Sequence, residues 1–458
     1  MILCRCFGIA DKGVTRTRGP GLLIHLLRWI ACCGAIFSSL SPQLAAQGYD
    51  FSAIDSVLDA NAAALRNTVV VMIRHNGKLV YYRGIGIDST EQAQIASMSK
   101  SLSAALILRL AQEGMLGLDD SLGRYKPVAS SVGKGSCTVR QNFSHTGGWA
   151  GSTDFLSDRT LTLQQAVDSI IVHETFQYAP GTAFAYGGVS MHVAGAMAEI
   201  ASGEGWSDMF QSRIAEPLGL TNTTFCLTTP DNPRIAGGIC STPADLLRFG
   251  EFIRQHGRNE RGAQVVDSVW MEELWRDQTR GVVQLASPYP YHPTLNNPYD
   301  ADTIRYGLGT WLDIMNPFTG LQEQISGAGA FGTHVWINRC HNLTGVFFTP
   351  PPVLNRVAEP VAFAIKDIAR KQTPNSCGNT TAVEARQREA PFFVYPNPSS
   401  SAVVIVAEAA MDVRITNLLG REEWHGRIDG LAVVDVTGWA RGMYFVSSAG
   451  RITPFIKK

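Results

Sequence analysis

Two side chains suited to nucleophilic catalysis stand three residues apart, at Ser97 and Lys100. Residues at i and i+3 share one face of a helix, so the hydroxyl and the amine can meet. A serine needs a base to take its proton, and a lysine can be that base when desolvation or a second cation lowers its pKa. Apolar residues recur from Leu102 to Leu110, and Gly114 follows as a stop signal. This pattern predicts a helix whose free N-terminal N–H groups can stabilise an oxyanion.

The same spacing occurs a second time, at Ser131 and Lys134. That stretch is rich in glycine and serine and has no apolar period, which argues against a helix. We therefore interpret Ser131 as part of a loop and Ser97 as the site.

Length and composition indicate a globular protein of two or three domains, since 458 residues carry 45% hydrophobic and 17% charged side chains. The formal net charge is zero. No electrostatic footprint for nucleic acid is present, and no nucleic-acid partner is expected.

The N-terminal segment has the order of a secretory signal peptide. Basic residues reach Arg18, an apolar run is densest from Trp29 to Leu40, and small residues lead to Ala46. This order predicts a signal peptide over 1–46. A membrane anchor is the alternative, but the uninterrupted apolar run is short, so no stable membrane span is expected.

Five cysteines follow the predicted cleavage point: Cys137, Cys226, Cys240, Cys340 and Cys377. Export permits disulfides, and Cys226 with Cys240 is a possible pair, but the sequence leaves the pairing open. The chain has no C-x-x-C motif, so a zinc site of that type is unsupported. We expect no metal and no cofactor.

Several elements should surround the Ser97 helix. Periodicity predicts a helix from Phe51 to Asn67, and Asn76-Gly77 between two β-rich runs predicts a hairpin. His145 precedes Gly147-Gly148, and we expect it to pack and hydrogen-bond within that tight turn rather than act as a base. Tyr186, beside Gly187, is a candidate for proton transfer if a cationic neighbour lowers its pKa.

Glycines from Gly327 to Gly332 match G-x-G-x-x-G. A dinucleotide site requires this motif to open a helix, but the strand-like run His334–Ile337 follows instead, so we reject that interpretation. Glycines allow close approach, and we expect a strand edge whose backbone N–H groups face the site.

Taken in order, these segments resemble the serine β-lactamase and penicillin-binding family, in its class C, esterase and D-aminopeptidase branch. The resemblance covers roughly residues 50–370. It is carried by Ser97–Lys100, Leu118-Asp119-Asp120, Ser144–Gly148, Pro180-Gly181-Thr182 leading to Tyr186, Gly237-Gly238 with Ser241-Thr242, and 327–332. It implies an α+β fold over 47–370, with an antiparallel sheet flanked by helices and a helical subdomain.

The resemblance also implies roles. Ser97 would be the acylated nucleophile, Lys100 its base or base partner, and Tyr186 the proton shuttle of the second motif. Gly327-Ala328-Gly329 would occupy the third motif, and the backbone N–H groups of Ser97 and Ala330 would form the oxyanion hole.

Two departures from the family pattern bear on the substrate. The second motif usually ends in Asn, where this chain has Gly188, and the third usually begins with a cation, where this chain has Gly327. Both residues help relatives to hold β-lactams, so an esterase or a peptidase for D-amino-acid substrates is favoured over an efficient β-lactamase. The alternative is a catalytically weak or inactive protein that binds peptidoglycan-like ligands of the cell wall.

The polar stretch 371–390 is interpreted as a linker, and 391–458 as a small β-sandwich of short strands. This unit resembles the type A C-terminal sorting domain of the type IX secretion system, through Tyr395-Pro396-Asn397-Pro398, the Asn417–Gly420 turn and Arg441–Phe445. A carbohydrate-binding or purely structural module is the alternative. The resemblance implies the type IX machinery as a partner, with export through the periplasm to the cell surface of a bacterium or beyond.

Overall fold

The structure, a computed structural model, describes residues 48–287, 305–315, 320–377, 392–395, 399–407, 410–448 and 451–458. The predicted signal peptide over 1–46 and most of the predicted linker lie outside these residues. Within the described ranges, the helices lack the combination of length and apolar character needed to cross a membrane.

The described part contains twelve α-helices and twenty strands, numbered in chain order. The helices are α1 Ser52–Asn61, α2 Ser99–Gln112, α3 Leu122–Tyr125, α4 Pro127–Ser131, α5 Val139–Phe143, α6 Leu163–His173, α7 Val189–Ser202, α8 Trp206–Phe210, α9 Glu216–Leu218, α10 Pro243–Arg254, α11 Ser268–Met271 and α12 Asn355–Lys371. The first thirteen strands are β1 Val69–His75, β2 Lys78–Ile85, β3 Ala93–Gln94, β4 Ala183–Ala185, β5 Thr224–Phe225, β6 Thr228–Thr229, β7 Asn232–Pro233, β8 Ile239–Ser241, β9 Val283–Ala286, β10 Trp311–Met315, β11 Gln322–Ala328, β12 His334–Asn338 and β13 Leu343–Phe348. The C-terminal strands are β14 Phe392–Tyr395, β15 Ala402–Ala407, β16 Met411–Asn417, β17 Glu422–Ile428, β18 Leu431–Asp435, β19 Gly442–Ser448 and β20 Arg451–Lys457.

A six-stranded antiparallel sheet in the order β10-β11-β12-β13-β1-β2 forms the centre of the larger domain. The predicted hairpin is confirmed, because β1 and β2 are joined through Asn76 and Gly77, both with positive φ. Successive residues of a strand point to opposite faces. A Cβ on Gly250 of α10 would contact Val335, whereas the neighbouring His334 hydrogen-bonds Asn355 of α12 at 2.9 Å. The two helices therefore cover opposite faces of the sheet.

The helix predicted from Ser97 begins slightly later than expected. A 3₁₀ turn over Ala96–Met98 leads into α2, and Ala96 has a φ of +46°. The helix is buried along nearly its whole length and ends before Gly114, which has a φ of +72° as predicted. The turn that carries Ser97 is thus continuous with a helix that is buried in the core.

Other expectations hold only in part. Helix α1 ends at Asn61 rather than Asn67, and the last two residues of the predicted helix have left-handed backbones. Ser131 ends the short helix α4 rather than lying in a loop, and its hydroxyl donates to the Val128 carbonyl. The end of the predicted helix was misplaced because its apolar pattern continues for a few residues after the backbone has turned.

Two disulfides bind the larger domain: Cys226–Cys240, the pair that the sequence left open, and Cys340–Cys377. Cys137 is free and buried. Since Cys377 is bonded to Cys340 between β12 and β13, residues beyond 370 are still anchored to this domain. The domain boundaries themselves stay predictions.

The C-terminal unit is a pair of antiparallel sheets, β14-β15-β18 and β17-β16-β19-β20. Their apolar side chains form a separate core that includes Val403, Ile415, Tyr444 and Phe455. The α+β fold and the small C-terminal β-module predicted from the sequence are confirmed.

Candidate active site

The turn that carries Ser97 is held from one side by β8. The Ile95 N–H donates to the Ile239 carbonyl at 3.0 Å, and the Ile239 N–H donates to the Ser99 hydroxyl at 3.1 Å. The Ser99 hydroxyl in turn donates to the Ala96 carbonyl at 2.6 Å. These bonds fix the backbone on both sides of Ser97, so its hydroxyl has a defined direction.

Lys100 lies directly beneath Ser97. Its Nζ donates to the Ser97 Oγ and to the Ala236 carbonyl, each at 2.9 Å, and its side chain is only 4% exposed. Burial, and then the charge of Arg234, lower the pKa of Lys100 to about 7. A lysine with this pKa carries a substantial neutral fraction near neutrality, which is what a base toward Ser97 requires.

Tyr186 completes a triangle with these two residues. Its phenol shares a hydrogen bond with Ser97, and the Lys100 Nζ lies 4.5 Å from the centre of its ring. The ring stacks on Trp311 at a centroid distance of 5.1 Å. Burial raises the pKa of Tyr186 above its usual value, so the expectation that a cation lowers it is wrong. The group is a neutral phenol that can pass a proton but does not rest as a phenolate.

His145 packs as predicted, but its ring makes no hydrogen bond to the described part of the chain. Neither ring nitrogen has a hydrogen-bond partner among the described residues, and the ring lies 4.6 Å from that of Tyr186 and 5.0 Å from that of Tyr306. Its backbone carbonyl accepts instead, from the Ala185 N–H and the Tyr178 hydroxyl, each at 3.0 Å. Burial and then the charge of Lys100 hold the pKa of His145 well below its usual value. His145 therefore serves as an uncharged wall behind Tyr186.

The end of β11 forms the other side of the site. A Cβ on Gly327 would lie 2.4 Å from the Met98 sulfur, and a Cβ on Gly329 would lie 2.2 Å from the Ile95 carbonyl oxygen. The strand edge thus runs against the turn that bears Ser97, and at Gly329 it approaches a backbone carbonyl at a distance only glycine permits. Ala330 follows on the exposed rim, and Ala328 pairs with His334. The motif does not open a helix, in line with the rejection of a dinucleotide site.

Gly188 caps the start of α7 and lies between two side chains. A Cβ there would be 3.0 Å from Leu156 and 3.8 Å from Ala236. The space that an Asn side chain would need is thus already occupied in part by Leu156.

Sequence reasoning missed Arg234. This half-buried arginine lies two residues before Ala236, and its charge acts on Lys100. The available signal was a lone cation just before Gly237-Gly238, in a segment already tied to the site by the family pattern.

The second Ser-x-x-Lys spacing forms no such pair. The Lys134 Nζ donates to the Ile171 carbonyl at 2.6 Å and to the Glu174 carbonyl, while Ser131 bonds within its own helix. Its lysine is committed to backbone carbonyls and is not available to Ser131.

An antiparallel sheet between helices, with a serine and a buried lysine on the helix beside its edge, is the architecture of the active-site-serine hydrolases. Residues 55–370 match the Beta-lactamase family model, and residues 393–458 match the Secretion system C-terminal sorting domain. The chain belongs to the Beta-lactamase family of serine hydrolases and carries a type IX sorting tail, the mark of a secreted or cell-surface protein.

Individual relatives are distant. A candidate β-lactamase from Bacteroides dorei DSM 17855 is 26% identical with a TM-score of 0.60, covering 69% of this chain and 99% of that one. EstCE1, a hydrolase with promiscuous acyltransferase activity, is 17% identical with a TM-score of 0.55, covering 70% and 98%, which shows the fold alone. Protein flp of Staphylococcus aureus (strain NCTC 8325 / PS 47) is 25% identical over 170 residues, 34% of each chain. The chain thus spans about a third of the length of that curated relative.

Proposed function

We propose that this protein is a secreted serine hydrolase that forms an acyl-enzyme on Ser97 and acts on esters or on amides of D-amino acids. The observation that carries the proposal is the hydrogen bond of 2.9 Å between Ser97 and Lys100, whose pKa is lowered to about 7. A structural lysine in a core would be paired with a carboxylate, as Lys366 is with Asp313 at 3.1 Å. Lys100 instead faces a hydroxyl, a carbonyl and an aromatic ring.

Acylation would begin with neutral Lys100. Its amine takes the Ser97 proton as Oγ bonds to the acyl carbon, which gives an ammonium and a tetrahedral oxyanion. The backbone N–H groups of Ser97 and Ala330 would receive the oxyanion, because the strand end after Gly329 lies against the serine turn.

Collapse of the intermediate needs a proton on the leaving group. Tyr186, hydrogen-bonded to Ser97, would donate its phenolic proton and be reprotonated by the Lys100 ammonium. Lys100 is then neutral again, and the leaving group departs protonated. A water would attack the acyl carbon by the reverse proton path, which releases the acid and restores the Ser97 hydroxyl.

The choice of substrate rests on two glycines. Position 188 lacks the amide that grips a β-lactam side chain in relatives, and position 327 lacks the third-motif cation. The neighbours of both glycines fill the space, with Leu156 beside Gly188 and Met98 beside Gly327. The missing side chains could enter only if Leu156 and Met98 moved, which favours small esters or D-amino-acid amides over efficient β-lactam turnover.

The experiment treats wild type and Ser97→Ala with a fluorophosphonate and a fluorescent penicillin, and reads adducts by intact mass. Turnover of a p-nitrophenyl ester and of nitrocefin is measured in parallel. We expect an adduct on wild type that is absent from Ser97→Ala, with ester turnover exceeding nitrocefin turnover. Fast nitrocefin turnover would make the protein a β-lactamase. No adduct and no turnover would favour the non-catalytic cell-wall binder.

Export would proceed in two steps, through the periplasm by the N-terminal signal and across the outer membrane by the C-terminal module. The match over 393–458 supports the second step. Expression in a host that has type IX secretion, with and without those residues, tests it by locating the protein in medium or periplasm.

A further inference from the structure

Arg234 stands on the wall of the site formed by the segment before β8. The carbonyl of Ala236 accepts from Lys100, and a Cβ on Gly237 would lie 3.8 Å from the Ala96 carbonyl carbon. This segment therefore lies against the turn that bears Ser97. The end of β11 lies against the same turn through Gly327 and Gly329. Arg234 thus brings a positive charge to the segment opposite the missing third-motif cation.

The guanidinium has no carboxylate partner among the described residues. Other half-buried arginines do have one: Arg213 pairs with Glu204 at 2.6 Å and Arg254 with Glu251 at 2.8 Å. Arg234 makes only one hydrogen bond to a described side chain, from Nη1 to the Ser157 Oγ at 3.3 Å. A guanidinium has five N–H donors, so most of its capacity stays open.

Neighbouring groups locate the charge between two helices. Burial is the main cause of the lowered pKa of Lys100 on α2 and of His192 on α7, and the charge of Arg234 lowers both further. His192 is one turn beyond Gly188, to whose carbonyl its N–H donates at 3.2 Å. Ser157 follows Leu156, the residue that borders Gly188. Arg234 and Ser157 therefore flank the place where the second-motif Asn is missing.

Building on the proposed function, we propose that Arg234, with the Ser157 hydroxyl beside it, binds a carboxylate on the substrate. The natural substrates would then be esters or amides that carry a carboxylate near the scissile bond. A guanidinium suits this task because its planar fork can bind both oxygens of a carboxylate. Occupation by an anion would also supply the partner that Arg234 lacks within the described chain.

The test uses three chromogenic esters. p-Nitrophenyl butyrate is neutral, mono-p-nitrophenyl glutarate carries the carboxylate on the acyl part, and 3-butyryloxy-4-nitrobenzoate carries it on the leaving group. They are assayed with wild type, Arg234→Gln, Arg234→Lys and the matched control Arg159→Gln. Arg159 is an exposed arginine two residues from Ser157, so its loss changes the net charge equally without touching the proposed subsite.

We expect Arg234→Gln to lower kcat/KM for one carboxylate ester about tenfold to a hundredfold relative to the neutral ester, through KM. The ester that responds identifies the side of the scissile bond that carries the carboxylate. Arg234→Lys should recover part of the loss, and Arg159→Gln should leave the ratio unchanged. Any effect of Arg234 on the pKa of Lys100 is common to all three esters and cancels in the ratio.

An equal change for all three esters would overturn the subsite, and so would an equal loss in Arg159→Gln. Turnover of none of the esters by wild type would instead overturn the proposed hydrolase. In that case glutarate binding, measured by calorimetry, tests the proposed carboxylate subsite independently of turnover. Binding that Arg234→Gln abolishes supports it, whereas absent or unaltered binding contradicts it.

Discussion

The protonation of Lys100 gives the sharpest quantitative expectation. With its pKa at about 7 rather than the ordinary 10.5, Lys100 is neutral in about half of the molecules at pH 7. An ordinary lysine would be neutral in about one molecule in three thousand at that pH. If neutral Lys100 is the base, kcat/KM for a neutral ester should rise about tenfold from pH 6 to pH 8 and then level off.

The assay is p-nitrophenyl butyrate hydrolysis from pH 5.5 to 9.5 at constant ionic strength, with the rate of Ser97→Ala subtracted at each pH. Burial is the larger cause of the lowered pKa, and the Arg234 charge is the second. Arg234→Gln should therefore move the midpoint upward by a smaller amount than burial has moved it downward. A rate that climbs tenfold per pH unit beyond pH 9, or one that does not change with pH, would refute the base assignment.

Glu359 provides the control for this experiment. Burial raises the pKa of Glu359 to about 7, so it titrates in the same window as Lys100. It lies on α12, and Glu359→Gln keeps its shape while removing the titration. The midpoint should be unchanged in this variant. If the midpoint disappeared in Glu359→Gln, the pH dependence would belong to Glu359 and not to Lys100.

Three further predictions concern the same domain. Tyr186→Phe keeps the ring packing but removes the phenol, so ester kcat should fall about a hundredfold with an unchanged melting temperature; an unchanged kcat would exclude a proton role. Gly327→Lys places a Cβ 2.4 Å from the Met98 sulfur, so urea melts should show a loss of about 1–3 kcal/mol and no gain in nitrocefin turnover; full stability would contradict this packing. Cys226→Ser with Cys240→Ser opens a loop with a sequence separation of 14 beside the serine turn, and should lower the free energy of unfolding by about 3 kcal/mol; a reduced wild type as stable as the oxidised one would disprove it.

Much of the fold could be predicted from short-range patterns in the sequence. The hairpin at Asn76-Gly77 follows from turn chemistry. Threonine is a residue type that favours helix N-caps, and Thr242 caps α10, where its hydroxyl accepts from the Asp245 N–H at 3.2 Å. The strand after Gly332 was predicted from the strand-like run His334–Ile337, which also argued against a dinucleotide site. These features depend on a few residues that are close together in the chain, so the sequence alone is enough to predict them.

Only part of the site could be predicted from the sequence. The spacing of Ser97 and Lys100 predicted that hydroxyl and amine would meet, and they do, with Ser97 in the 3₁₀ turn that leads into α2. It did not determine that Lys100 would be desolvated, because that depends on Ala236 and Tyr186, which approach from distant segments. The environment of Tyr186 was wrongly predicted for the same reason, since the rings that bury it belong to separate loops and strands.

The sequence by itself determined the candidate catalytic pair, a serine and a lysine at helical spacing. It also determined two structural features, a glycine-rich strand edge and a C-terminal module of short strands. Only the tertiary structure surrounded Lys100 with Ala236 and Tyr186, left the His145 ring without a hydrogen-bond partner among the described residues, and brought Arg234 to the site. The physical reason is that helix and turn preferences are set locally. Burial, and the pKa values that follow from it, are sums over contacts between residues far apart in the chain.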